Sequence, residues 1–217
     1  MNIEQARFNM IEQQIRPWEV LDQGVLDLFY VVRREEFVPP AYRAVAFSDL
    51  EIPLGDGERM WAPKIEARVL QALAPKKSER VLEIGTGSGY FAALLAHLAH
   101  EVLSVEINPR LRDFGARNLK SQGVGNVSVE QGDAARGWEK AGAFDIIVLT
   151  GSTPVLPPAF LSQLKTGARL FAIVGEAPVM PARLFGCTGP GSYHSVDLFE
   201  TEFPPLVNAM SPERFRF

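Results

Sequence analysis

Three glycines spaced two residues apart, Gly85, Gly87 and Gly89, close the apolar run Val81-Leu82-Glu83-Ile84, and the acid Glu83 stands two places before the first of them. A strand that enters such a turn and leaves it as a helix, here Tyr90 to Ala99, brings backbone against a ligand and turns helix N–H groups toward it. The spacing selects the ligand. A dinucleotide turn reads G-x-G-x-x-G, whereas the third glycine here comes one residue early and Tyr90 stands in its place. The G-x-G-x-G form with its preceding acid predicts S-adenosylmethionine in place of NAD. Thr86 and Ser88, between the glycines, join the candidate cofactor set, and Glu83 is assigned to the methionine amino group.

Two further strand ends supply the rest of a nucleoside site. Glu101 to Glu106 reads as a strand ending in an acid roughly 20 residues beyond the turn, where a ribose-binding carboxylate is expected. The two oxygens of Glu106 can accept from both ribose hydroxyls, with Ile107 alongside. Asn126 to Gln131 reads as a third strand and ends in Gly132-Asp133-Ala134. Asp133 is assigned to the adenine amino group and the Ala134 N–H to a ring nitrogen. Thr150, at the end of a fourth apolar run from Ala143, borders the reacting group together with the residues up to Thr153.

The elements that must carry these residues alternate along the chain. From Ile3 to Val32 apolar residues recur at helical spacing, and Arg16-Pro17-Trp18 divides them into two helices. Glu36 to Arg59 holds Pro39, Pro40, Pro53, Gly55 and Gly57, which predicts turns with a short strand pair. Pro63 opens a helix that ends near Pro75. After the fourth strand, Ala159 to Leu164 forms a short helix, Thr166-Gly167 a turn, and Ala168 to Val174 a buried strand. Residues 182–188 and 193–203 alternate around Gly189-Pro190-Gly191-Ser192 as a terminal antiparallel hairpin. The expected fold is α/β and Rossmann-like: a mainly parallel seven-stranded sheet with helices on both faces, a helical lid over 1–63 and the ligand-binding domain over 64–217.

Composition narrows the partners. A net charge of −4 gives no global reason to expect nucleic acid or an anionic membrane. No apolar run approaches the ~18 residues of a membrane span, so a soluble cytoplasmic protein is expected. The single cysteine, Cys187, falls in an expected strand and reads as a small buried apolar residue. His97, His100 and His194 form no catalytic pair and are read as structural. No cluster has the spacing of metal ligands, so no metal is expected. Oligomeric state is left open.

Beyond fold class, the chain resembles the protein-L-isoaspartate O-methyltransferases along nearly its whole length. Residues 81–90 are similar to that family's cofactor motif; Arg33 to Pro39, Ile52 to Gly55, Leu161 to Gly175 and Pro204 to Val207 are similar to its other signatures. The resemblance implies a class I S-adenosylmethionine-dependent enzyme that methylates the free carboxylate of isoaspartyl residues in damaged proteins, which begins their repair. Gly57 to Pro63 departs from the pattern. Trp61 stands where the family has the serine hydroxyl nearest the target carboxylate, and an indole can donate from its ring nitrogen but not accept. Trp61, Ala62 and Lys64 are the substrate-side candidates, Lys64 as a cation for an anionic acceptor. Bulk at Trp61 leads to an expectation of weak isoaspartyl transfer, with a different or small acceptor, or cofactor binding without catalysis, as the alternatives.

Overall fold

The structure is a computed structural model and describes residues 2–212. Met1 and residues 213–217, the outer ends of the two expected regions, lie outside the described residues.

Helix α1, Ile3–Met10, starts where the Asn2 side chain accepts from the Gln5 N–H at 3.2 Å. Its winding continues through a wider turn to Ile15 and a tighter one over Arg16–Trp18, and Glu19 then reverses direction at φ +60°. Helix α2, Gln23–Val31, is capped by Asp22. The expected pair of helices is present. Strands β1, Ile52–Gly55, and β2, Glu58–Met60, form the short hairpin anticipated before Pro63, and helix α3 runs Pro63–Leu73.

The main sheet has seven strands: β3 Arg80–Ile84, β4 Glu101–Glu106, β5 Val127–Gln131, β6 Phe144–Thr153, β7 Leu164–Val174, β8 Met180–Gly189 and β9 Ser192–Thr201. Their order is β5-β4-β3-β6-β7-β8-β9, parallel through β7, with β8 and β9 antiparallel. Strand residues alternate between two apolar layers, as period-two geometry requires. Val81, Ile146, Val148 and Phe171 join one core with the N-terminal helices, α3 and α4 (Tyr90–Leu98). Leu82, Ile147, Leu149 and Leu170 join the other, against Phe160 of α6, Pro158–Ser162.

Two elements differ from the sequence reading. Thr166-Gly167 lies inside β7, because the pairing with β6 slips between Phe144 opposite Leu164 and Ile146 opposite Arg169. The slip absorbs the turn as an irregularity of a longer strand. Helix α5, Pro109–Ser121, is absent from that reading; it begins on Asn108, whose side chain accepts from the Arg110 N–H at 3.0 Å.

Candidate functional site

Strand order reverses at β3, which pairs with β4 on one side and β6 on the other, so their carboxyl ends splay apart and leave a crevice. A cavity of about 610 Å³ opens there. Its wall takes Gly85 and Gly87 after β3, Glu106 and Ile107 at β4, Asp133 and Ala134 after β5, and Thr150 in β6. Those are seven of the residues expected from spacing alone to hold the cofactor.

Local geometry explains the glycines. Gly85 has φ +101°, and a Cβ there would lie 2.3 Å from Thr150 Oγ1, whose hydroxyl donates to the Ile84 and Gly85 carbonyls at 2.9 and 2.8 Å. Gly89, at φ +81°, lets α4 start against α5, since a Cβ would meet the Gly115 carbonyl oxygen at 2.9 Å. Gly89 therefore serves packing and lies on neither cavity.

The two acids at the strand ends are held from below. Glu106 accepts from the Gly87 N–H at 2.9 Å and the Asn108 N–H at 3.0 Å, which ties the glycine turn to β4. Asp133 accepts from the Ala135 N–H at 3.0 Å and from Asn208 at 2.8 Å. Each carboxylate oxygen keeps further acceptor capacity for a ligand.

Glu83 takes a different place from the one expected. It is fully buried, receives the Ser104 hydroxyl at 2.5 Å and lies on neither cavity. Ser104 in turn meets the Thr86 hydroxyl at 2.6 Å, so Glu83, Ser104 and Thr86 brace the turn from behind. Burial pushes the Glu83 carboxyl up to about 8, with the Ser104 bond opposing and the Glu106 charge adding to the rise. Folding therefore takes up a proton at Glu83 between its ordinary value of 4.5 and about 8, and this contribution to stability falls as pH rises through that window. Glu66, pushed up to about 7 by burial against the pull of Arg34, has the same sign but ends its slope earlier. Glu83→Gln should then flatten the fall in urea midpoint between about pH 7 and about pH 8. A wild-type slope retained in the variant would refute the assignment.

A second cavity of about 320 Å³ adjoins the first and shares Gly85, Gly87 and Thr150 with it. Ser88 faces this one, along with Met60, Trp61, Tyr90 and Phe91. Trp61 sets its character, and not as bulk across the opening. The indole is 4% exposed and packs edge-on against Phe91, Phe171 and Phe203 at 5.1, 5.8 and 6.2 Å. Its Nε1 is buried without a hydrogen-bond partner. Three phenylalanines from distant segments hold most of the ring in the core, while its remaining edge lines the cavity. Ala62 is the buried cap residue of α3 and lies on neither wall. Lys64 bonds Asp49 at 2.7 Å and sits over the Trp18 ring at 4.4 Å, so the structure does not bring it to the site.

Sequence reasoning missed the far wall. Phe203, Pro205, Leu206 and Val207 close the first cavity, with the Leu206 N–H on the Ser152 carbonyl at 2.8 Å. Pro204 to Val207 carried a family signature but no sign of that role. Glu58 and Arg59 of β2 also line it. Burial, then the charges of Glu106 and Asp56, holds the Glu58 carboxyl above its usual range. His97, bonded to the Ala93 carbonyl at 2.9 Å, and His194, beside Gly186, stay outside both cavities. Cys187 is buried, as expected. Among the described residues no group of acids, histidines and cysteine could hold a metal, and no helix is long and apolar enough to cross a membrane.

Known proteins with this sequence pattern are numerous. A relative from Cronobacter sakazakii, a protein-L-isoaspartate O-methyltransferase, is 37% identical over 202 residues, 93% of this chain and 96% of its own. Another, protein-L-isoaspartate O-methyltransferase 1 of Rhodopseudomonas palustris, is 43% identical over 169 residues, 78% of this chain and 69% of its own. A solved protein-L-isoaspartate O-methyltransferase superposes with a TM-score of 0.78 at 26% identity, covering 96% of this chain and 67% of that one. A Plasmodium falciparum protein solved with S-adenosyl-L-homocysteine shares the fold, with a TM-score of 0.79 at 20% identity, covering 92% and 97%. The sequence model of one family matches residues 5–211, and the chain belongs to that family, protein-L-isoaspartate(D-aspartate) O-methyltransferase.

Proposed function

We propose that this protein transfers a methyl group from S-adenosylmethionine to the free carboxylate of isoaspartyl residues in damaged proteins. One observation carries the reading: four parallel strand ends meet on a single cavity that holds Glu106, Asp133 and a glycine turn, beside a second cavity for the acceptor. Family membership supports both the donor and the acceptor class.

Glu106 would hold the ribose, Asp133 and Ala134 the adenine, and Gly85, Gly87 and Thr150 the methionine end; Glu83 and Thr86 support the turn. S-adenosylmethionine, when bound, supplies a methyl group activated by a sulfonium. The chain's own task is to position the acceptor. A carboxylate with an ordinary value near 4 is already ionised at neutral pH and requires no general base, which accounts for histidines that lie away from both cavities. Holding one carboxylate oxygen in line at near-attack distance can contribute up to about 7–11 kcal/mol in well-oriented systems. Residues 1–63 would form the cover that excludes water, and 64–217 the domain beneath it. A cytoplasmic protein acting in repair fits the single buried thiol.

The test is methyl transfer from labelled cofactor to an isoaspartyl peptide, with the same peptide carrying ordinary aspartate as control. Transfer confined to the isoaspartyl peptide is expected; transfer to neither would refute the acceptor. Glu106→Ala should weaken S-adenosylhomocysteine binding by about 1–3 kcal/mol in calorimetry, the scale of lost charged hydrogen bonds. An unchanged affinity removes Glu106 from the ribose site.

A further inference from the structure

The acceptor cavity has a polar wall on which Ser88, whose oxygen accepts from the Tyr90 N–H at 3.3 Å, keeps a buried hydroxyl proton, while the other hydroxyls are in use. Tyr90 directs its hydroxyl to the Val32 carbonyl at 3.4 Å, and Thr150 directs its own to the Ile84 and Gly85 carbonyls. Glu66 is an acid held by the guanidinium of Arg34. Trp61, at the position where resemblance places a hydroxyl, offers only a buried Nε1. With Glu66 neutralised by the Arg34 guanidinium, a carboxylate entering here would face the charges of Glu58, Glu106 and Asp133 on the adjoining wall. Such surroundings repel an anion.

Arg59 answers both problems. It is the one cation among the described residues on the two walls, and it lines both cavities, so it stands at their junction. Its side chain is 49% exposed and makes one hydrogen bond, from Nη1 to Glu51 at 3.0 Å. A guanidinium has five N–H donors, so most of its capacity is open, and an exposed pair of this kind is worth little and is readily exchanged. We propose that Arg59 is the residue that binds the acceptor carboxylate, taking over by charge-assisted hydrogen bonds the anchoring that a hydroxyl at position 61 would otherwise give. The inference rests on the isoaspartyl reading above. It adds that specificity resides in the middle of β2, next to the departure at Trp61. The planar fork fits a carboxylate in two-point fashion and so contributes to ground-state and transition-state binding alike.

Steady-state transfer to the isoaspartyl peptide, with S-adenosylhomocysteine affinity measured in parallel by calorimetry, tests the assignment on wild type, Arg59→Met and Arg59→Lys. For Arg59→Met, KM should rise about tenfold or more with kcat changed far less, and cofactor-product affinity should stay at the wild-type value. Arg59→Lys should recover part of the loss, and the rise of wild-type KM with salt should vanish in Arg59→Met. An active wild type whose KM is unmoved by Arg59→Met overturns the proposal alone. Weakened product affinity with KM unmoved would reassign Arg59 to the methionine carboxylate and overturn it too. A wild type that binds product but methylates no isoaspartyl peptide overturns the acceptor reading and this inference with it.

Discussion

Replacing Trp61 by serine, which brings the loop nearer to the family's usual sequence, should destabilise this protein by about 3–5 kcal/mol, the range for emptying a large aromatic from a core. The indole is 4% exposed and bridges Phe91 on α4, Phe171 on β7 and Phe203 beyond β9. Each of those rings is anchored on a different element, α4, β7 and the segment after β9, so none fills the space left behind without moving its own element. A hydroxyl introduced there would also be placed within an apolar cluster. Urea unfolding of Trp61→Ser and Trp61→Phe separates the two effects. The phenylalanine variant keeps one six-membered ring in place and loses the remainder of the indole, its partnerless Nε1 included, so its midpoint should fall by clearly less than that of Trp61→Ser. Equal losses in both variants would mean that a six-membered ring at this position contributes nothing beyond a serine, and would refute the packing account.

Arg34→Met should cost a similar amount, about 3–5 kcal/mol, for a different reason. Arg34 is 1% exposed and binds Glu66, the Ala46 carbonyl at 3.0 Å and the Trp61 carbonyl at 2.7 Å, with its guanidinium 5.0 Å above the Tyr90 ring. Its removal strands a buried acid and orphans two carbonyls. The double variant Arg34→Met, Glu66→Leu removes the stranded acid and should recover much of the loss, which a double-mutant cycle in urea reads directly. Additive losses would show that the pair is not coupled. Because Arg34 fixes the Trp61 carbonyl, the single variant should also loosen the loop that carries Arg59.

What spacing revealed and what it hid follow from how far each residue's determinants lie along the chain. Gly85, Gly87, Glu106 and Asp133 occupy strand ends, and strand ends at a reversal of sheet order must meet; the pattern at each end is local and so readable. Trp61 is the opposite case. Whether its ring faces cavity or core is decided by Phe91, Phe171 and Phe203, 30 to 142 residues away, and loop composition carries no trace of them. Helix α5 escapes the sequence reading because its buried side is thin, with Leu111, Gly115 and Leu119 the inward residues of a thirteen-residue segment that also holds five charges. Glu83 looked like a ligand because it precedes the glycines, but alternation along β3 turns it toward Ser104 inside the sheet. Lys64 was read from charge alone, and its side chain found a nearer acid in Asp49.

The hairpin of β1 and β2 is fastened at its tip to the first turn of α5. Arg110 donates to the Leu54 carbonyl at 2.8 Å and to Asp56 at 2.9 Å, and Asn108 reaches the same carboxylate at 3.1 Å. This clasp joins the hairpin that lines both cavities to the segment that follows Glu106. Both sides of the Arg110 pair are more than half exposed, so ions in solution compete for it. The hairpin that lines both cavities is thus held to α5 by contacts that salt weakens, so the amides of β1 and β2 should exchange hydrogen faster as ionic strength rises.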